Sequence, residues 1–378
     1  MSGNSGLAYD IRQPLKFSFL GFDDEFTKEI VDKAPFNLGL EYPNEDLTMT
    51  LPVWIDNICA FPGQAIPVCG YEYYEFYEGA KNKSGYVGII PHAKKSDPRP
   101  RGTIYKIVHL SEKGNDEFFT VRLLAYYVFH PSIDVFMPKF LLEPVNLGCI
   151  EVHIVLESLH PLTLEIMRDK ETIIPSQANR FFRSHRWPDL LEKIKSYYRE
   201  IGLPEEYINV AMEQSPARIS YYLSEMVILS YDEKVTLFNA ISIEGRIALA
   251  LDLIQSYRGI CCQECGKDIQ SDGPQVICVT GICPLFYNRG GFAHRALTMK
   301  CEDQDRRTPF VPYDSWFPDY RWSYLNCNRC TNHLGWVFMQ SEGGVQPVFF
   351  QGIRMAQIAI KRTTKDVNGT EKIAVIEE

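Results

Sequence analysis

No apolar run in these 378 residues approaches the roughly 18 that a membrane-crossing helix needs. The opening stretch, MSGNSGLAYDIRQP, has no basic segment followed by an apolar core, so no secretory leader is expected. Basic residues are in the minority: 39 Lys and Arg against 48 Asp and Glu leave a net charge of −9. Broad nucleic-acid binding, which needs clustered Lys and Arg, is therefore not expected, and neither is a membrane partner. Internal repeats, low-complexity tracts and a GxxxxGK[ST] phosphate loop are also missing. Core material is plentiful, with 45% hydrophobic and 13% aromatic residues. That suits packed domains, and the length suits two or three of them.

With no leader, the expected location is cytoplasm and nucleus, where thiols stay reduced. The eleven cysteines are then not a disulfide framework, and paired CxxC units point to metal or redox chemistry.

Texture divides the chain. Residues 1–45 show no clear period and are expected to be a flexible arm. From 46 to 258 short strands come first, in TMTLPVWIDN, YVGIIPHAK, GTIYKIVHL, FFTVRLLAYYVF and GCIEVHIVLESL, separated by Gly, Pro and charged turns. Near 186 the spacing becomes helical, with Leu190, Leu191, Ile194 and Tyr197 or Tyr198 apolar and Gly202 as a stop. Further helices follow in SPARISYYLSEMVIL, with Ser215 as cap and Pro216 at the first helical position, in YDEKVTLFNA and in SIEGRIALALDLIQSY. From 259 to 360 strands and loops return. The tail, 361–378, is expected to be flexible, although its IAVI could pair at a sheet edge.

Two CxxC units stand about sixty residues apart, CQEC with Cys262 and Cys265, and CNRC with Cys327 and Cys330. Two residues between cysteines form a tight turn that aims both sulfurs at one ion. Two such turns make a full tetrahedral site, structural rather than catalytic, with one Zn2+ as the expected cofactor. The competing readings are two unrelated pairs, one of them redox-active, and substitution of Cys261 for Cys262 as ligand. Cys278, Cys283 and Cys301 read as small buried hydrophobes.

Three of the five tryptophans, Trp316, Trp322 and Trp336, flank the second unit in SWFPDYRWSYLNCNRCTNHLGWVF. They could be the core of a small domain. Indole is costly to bury completely, however, because its N–H needs a partner. Pro318 with Asp314 and Asp319 suggests a loop, so the indoles could equally wall a cage for a small flat or cationic group.

The segments CCQECGKDI, YNRGGFAHRALT, SWFPDYRWS, CNRCTNHLGWVF and FQGIRMAQI resemble the thalidomide-binding (CULT) domain of the cereblon family, and LPVWIDNICAFPGQAIPV is similar to the opening of Lon protease N-terminal domains. The resemblance implies an α+β multidomain chain. A mostly β Lon-N-like domain with a helical segment would precede a zinc-bound all-β CULT (β-tent) domain. It implies a non-catalytic substrate receptor of a cullin-4 RING ubiquitin ligase. Trp316, Trp322, Trp336 and Phe338 would wall a pocket for glutarimide and succinimide rings. The backbone at Asp314 would take the imide N–H, and the Trp316 backbone N–H would meet a carbonyl. Natural ligands would be cyclic imides at protein C termini. Asn288, His294 and Trp336 match positions that bind a recruited protein. His294 taken alone could equally be a satisfied loop residue.

Two residues depart from the family. Asp314 replaces a His, and bulky Tyr324 replaces a small aliphatic at the pocket mouth, where it is expected to restrict which proteins are recruited. The segment 186–205 matches the place that grips the damaged-DNA-binding adaptor protein, but it looks shorter. It could instead be a surface helix. Two further readings remain. One is an aromatic cage for methylated lysine or another quaternary ammonium group. The other is an enzyme like the B-type methionine sulfoxide reductases, although the Arg-His/Tyr-Cys-Xaa-Asn-Ser run that such chemistry uses is missing.

Overall fold

The computed structural model describes residues 47–70, 74–93, 100–110, 119–141, 143–155, 157, 187–240, 242–269, 281–287, 293–300, 309–317, 319–341, 348–365 and 371–377. The expected arm, 1–45, lies outside them.

The first part is a curled sheet. Its strands are β1 (Thr48–Asp56), β2 (Ala65–Gly70), β3 (Tyr86–Pro91), β4 (Gly102–Leu110), β5 (Phe119–Pro131) and β6 (Val145–Val155), in the order β2-β5-β4-β3-β1-β6. β6 runs antiparallel to β1 over most of its length and turns its end onto β5, pairing Val128 with Val155 and Pro131 with Val152. The sheet thereby closes on itself and loses most of its free edge. Alternate residues Leu51, Val53 and Ile55 point inward and meet Ile90, Ile104, Phe129 and Val152. A second apolar layer lies between Val87, Ile89, Tyr105 and Val121 and the helix α1 (Tyr74–Lys83), which buries Tyr77 and Ala80. The sequence texture revealed neither β2 nor α1. β2 has Pro67 inside a six-residue strand, and the stretch before α1 reads as an aromatic turn.

Among the described residues five helices follow: α2 (Trp187–Glu200), α3 (Glu205–Met212), α4 (Pro216–Glu225), α5 (Tyr231–Phe238) and α6 (Ile243–Ser256). Their starts follow local chemistry. The Ser215 hydroxyl caps α4 with Pro216 next in line. Ser230 and Glu233 form a reciprocal capping box on α5. Ser242 caps α6 through the Gly245 N–H, 3.0 Å away.

α6 runs directly into β7 (Tyr257–Cys262), and the described elements after it are strands apart from one 3-10 turn, Met355–Gln357. β8 (Leu285–Tyr287), β9 (Ala293–Lys300), β10 (Tyr320–Asn326), β11 (His333–Gln340) and β12 (Phe349–Arg354) form a five-stranded sheet ordered β10-β11-β12-β9-β8. β13 (Ile358–Lys365) lies between β7 and β14 (Glu371–Glu377) in a second sheet. The architecture is the expected one, mostly β with helices and then a β unit holding four cysteines. The change near 259 is one of secondary structure only, because a single apolar core runs through both sides of it. Trp187, Ile194, Tyr198, Leu223 and Phe238 belong to the same buried cluster as Ile260, Phe317, Phe350 and Ile360.

Within the tail expected to be flexible, the described residues form strands, and IAVI pairs at a sheet edge. Residues 361–365 complete β13, and Ile373–Ile376 pair with it along β14. The cause lies far away in sequence. Arg362 is buried, and its guanidinium donates to the Glu233 carboxylate (2.9 Å) and to the carbonyls of Ile228 (2.7 Å) and Leu253 (2.6 Å). A second buried arginine joins helices to barrel: Arg246 on α6 donates to Glu157 at 2.6 and 2.7 Å and lies 4.6 Å from the Tyr221 ring centre. Arg101, just before β4, reaches the same carboxylate at 2.9 Å.

Removing one partner of a buried ion pair strands the other charge and costs about 3–5 kcal/mol. Arg362→Met is expected to lose that much in urea unfolding, because Glu233, only partly exposed, keeps its charge and loses its partner. A loss under about 1 kcal/mol would show that the tail is not held this way.

Candidate metal centre and aromatic cage

Both CxxC turns have the same backbone form. In the first, the Cys262 carbonyl accepts from the Gly266 N–H (2.8 Å) and the Cys262 N–H donates to the Lys267 carbonyl (2.8 Å). In the second, the Cys327 carbonyl accepts from Thr331 (2.9 Å) and the Cys327 N–H donates to Asn332 (2.8 Å). The residue after each second cysteine is left-handed, Gly266 at φ 69° and Thr331 at φ 63°. A glycine accepts this readily, whereas a β-branched threonine is an outlier. The Thr331 hydroxyl donates to the Cys330 carbonyl at 2.6 Å.

The turns bring four sulfurs together, all within 4.8 Å of one another. Cys262 and Cys330 sulfurs are 3.7 Å apart, and those of Cys265 and Cys327 are 3.6 Å apart. A tetrahedral site with metal–sulfur bonds of about 2.3 Å has edges of about 3.8 Å, so the set is compatible with a zinc site. Electrostatics agree. Burial works upward on the Cys327 thiol, but the N–H groups of Cys330 and Arg329 and the neighbouring sulfurs take it down to about 6. On Cys330 the Asn332 N–H pulls downward, yet burial and the sulfurs of Cys265, Cys327 and Cys262 hold it up at about 12. Four adjacent thiols cannot all ionise until a cation shares their charge. Cys261 is excluded as a ligand. Neighbours on a strand face opposite ways, and its sulfur lies 3.7 Å from the Ala359 carbonyl. Cys283 packs on the Met355 sulfur at 3.8 Å; Cys278 and Cys301 lie outside the described residues.

The second turn leads into the cage. β10 and β11 pair antiparallel with Trp322 opposite Phe338 and Tyr324 opposite Trp336, which places all four on one face. The tryptophans do not simply pack on one another. Trp322 meets Tyr324 at 5.3 Å between ring centres, Tyr324 meets His333 at 5.3 Å, His333 meets Trp336 at 5.3 Å, and Trp336 meets Trp316 at 4.4 Å. The result is an arc of rings, edge to face at each step. Trp316 is backed by Phe286, stacked at 4.7 Å with 7° between planes, and is only 6% exposed. Phe338 lies beneath as floor, fully buried against Phe317 and Phe350. Gly335 (φ 151°) makes this possible, because a Cβ there would lie 2.1 Å from the Gly352 carbonyl oxygen.

The loop before β10 is pinned on both sides. The Trp322 indole N–H donates to the Tyr313 carbonyl at 2.8 Å, and Val311 and Trp322 exchange backbone bonds of 2.7 and 3.0 Å. Between these ties Asp314 is left-handed (φ 57°) and exposed. Ser315 bonds Phe317 in both directions, its hydroxyl donating to the carbonyl at 2.9 Å and accepting from the N–H at 3.3 Å.

His294 is brought to the cage wall, 5.8 Å from Trp316 and 5.2 Å from Trp336 between ring centres, and its Nε2 has no hydrogen-bond partner. Burial first, and then Arg354 and His333, lower its pKa to about 4, so the ring is neutral at physiological pH. Tyr324, between Trp322 and His333 in the arc, is 55% exposed. Asn288 lies outside the described residues. Phe286 and His333 were missed in the sequence. Phe286 pairs with His294 across β8 and β9, and His333 follows CNRC closely, but nothing in a linear pattern says that either ring joins the arc.

The candidate adaptor segment is a helix, α2, and its apolar stripe is already used. Trp187, Leu190, Ile194, Tyr197 and Tyr198 are buried in the shared core, and only a charged face with Asp189, Glu192, Lys193 and Arg199 is exposed.

No protein-family model matches the chain. Its sequence is 21% identical to a cereblon from Drosophila pseudoobscura pseudoobscura over 392 aligned residues, covering 96% of this chain and 61% of that protein. A Gallus gallus cereblon is 25% identical over 169 residues, covering 43% of this chain and 37% of that protein. The chain thus resembles cereblons along nearly its whole length and spans about three-fifths of the fly relative. Among solved structures, the N-terminal domain of Lon protease from the Mycobacterium avium complex covers 55% of this chain at 12% identity, with a TM-score of 0.36. A Lon N-terminal domain protein from Xanthomonas campestris covers 54% at 14% identity, with a TM-score of 0.32. Scores this low carry no fold assignment.

The left-handed turn after Cys265 gives a direct check. Gly266→Ala meets no atom within 4 Å of the new Cβ, so its cost is backbone strain alone, about 1–2 kcal/mol. The expected result is a lower denaturant midpoint and weaker metal retention against a chelator. No change in either would mean that the turn is not left-handed.

Proposed function

We propose that this cereblon-like chain is a non-catalytic substrate receptor of a cullin-4 RING ubiquitin ligase, working in cytoplasm and nucleus. One structural zinc ion held by Cys262, Cys265, Cys327 and Cys330 would stiffen its ligand-binding unit. Trp316, Trp322 and Trp336, with Phe338 as floor, would take glutarimide and succinimide rings, including cyclic imides at protein C termini. The observation that carries the reading is the arc of rings from Trp322 to Trp316, closed below by Phe338 and beside the pinned loop at Asp314. A flat imide can stack within such an arc while its N–H and carbonyls meet the loop backbone. Asn288, His294 and Tyr324 would meet the recruited protein. The unpartnered Nε2 of His294 supports that role, because a buried ring nitrogen without a partner gains from an incoming one. Binding of the damaged-DNA-binding adaptor would fall to the charged face of α2, since its apolar face is occupied. Lys193→Glu with Arg199→Glu is then expected to abolish co-purification with the adaptor while leaving the fold intact. Unchanged co-purification would remove α2 from the interface.

Indole emission separates this reading from a quaternary-ammonium cage. Titration with glutarimide is expected to shift tryptophan fluorescence saturably, tetramethylammonium is expected to leave it unchanged, and Trp336→Ala is expected to weaken imide binding at least about ten-fold. Saturable binding of tetramethylammonium with none of glutarimide would overturn the proposal.

A further inference from the structure

Beside the arc of rings lies a charged group that the imide reading does not use. Arg354, at the end of β12, pairs in register with Ala296 on β9. Two residues from each along the strands are Gly352, opposite Trp336, and His294. Alternation puts Arg354, His294 and Trp336 on one face of the sheet. The Nε of Arg354 is buried without a hydrogen-bond partner, and among the described residues no carboxylate pairs with the guanidinium. The contrast within this chain is sharp, because the buried arginines Arg246 and Arg362 both grip a glutamate. Burial works alone on Arg354, lowering its pKa, and its electrostatic effect reaches both His294 and His333.

Two further nitrogens, on rings that each contact Trp336, are buried without partners: His294 Nε2 and His333 Nδ1. The Leu325 backbone acts on the His333 ring, whose Nδ1 is unpartnered. With its proton on Nε2, neutral His333 presents Nδ1 as an acceptor. His294 has no such tie and can present Nε2–H as a donor. Arg354 therefore offers charge and a donor, His294 a donor and His333 an acceptor. A carboxylate with a neighbouring amide N–H satisfies all three, and a partly buried cation with no counter-charge among the described residues gains most from the carboxylate.

We infer that Arg354, His294 and His333 form a carboxylate subsite beside the aromatic cage, so that the chain favours imide ligands carrying an acidic group, such as a peptide with Asp or Glu next to its cyclised terminus. The inference rests on the proposed imide reading for its ligand, and the subsite itself can be tested apart from it.

The test uses the full chain and three probes, each followed by isothermal titration: a glutarimide with a neutral amide tail, the same glutarimide with a carboxylate tail, and benzoate. Wild type is expected to bind the acidic imide about ten-fold tighter than the neutral one, as suits a charge-assisted hydrogen bond. Arg354→Gln should erase that preference and leave the neutral imide unchanged, which also shows that the variant is folded. Arg354→Lys should keep part of the preference, because the charge remains and the planar fork does not. Equal affinity of wild type for the two imides, with no benzoate binding, overturns the subsite and leaves the imide reading standing. Benzoate binding that is lost in Arg354→Gln, with neither imide binding, upholds the subsite and overturns the imide reading.

Discussion

Four sulfurs gathered within reach of one ion constrain everything in the C-terminal part of this chain. Cys262 ends β7 and Cys265 lies in the turn that follows, and the other two lie in the turn between β10 and β11. One cluster therefore ties together segments more than sixty residues apart and places one sheet against the other. Thiols so close cannot all lose their protons unless a cation shares the charge, and the opposite pulls on Cys327 and Cys330 show that conflict in the bare protein. With an ion in place the turn becomes a rigid corner. From that corner Trp322 and Tyr324 go out on one strand, and His333, Trp336 and Phe338 return on the other.

A second kind of constraint joins this corner to the rest. The barrel, the helices and the last strands are fastened by two arginines, each buried and each gripping a glutamate. Arg246 holds the helices to Glu157 at the end of the barrel, and Arg362 holds the tail strand to Glu233 on α5. Glu233 also closes the capping box on its own helix, so one carboxylate serves a local and a long-range purpose. An apolar core continuous from α2 to β13 fills the space between these clasps. The sheet that carries the rings thus shares one apolar core with the helices.

How much of this the sequence disclosed depends on the range of the interaction. Spacing of two between cysteines is a local signal and led directly to the four clustered sulfurs, while Cys261 needed the strand's alternation to be set aside. Helix starts at Ser215, Ser230 and Ser242 depend on residues three apart, and strands such as 102–110 follow composition. For the tail, the sequence suggested edge pairing of IAVI but not its clasp, because Glu233 is 129 positions away from Arg362. Phe286, His333 and Arg354 escaped notice for the same reason: each reaches the cage through strand register, which a linear pattern does not encode. The tryptophans showed both proposed natures at once, with Trp316 as core and Trp322 and Trp336 as half-exposed walls.

The account stands on the claim that the metal corner orients the cage. Metal content and imide affinity, measured on the same samples during stepwise removal of zinc by a chelator, test it most directly. The account predicts one zinc per chain at the outset, and loss of glutarimide binding in proportion to zinc removed, together with the near-ultraviolet dichroism of the indoles. A chain stripped of zinc that binds glutarimide with undiminished affinity would contradict it.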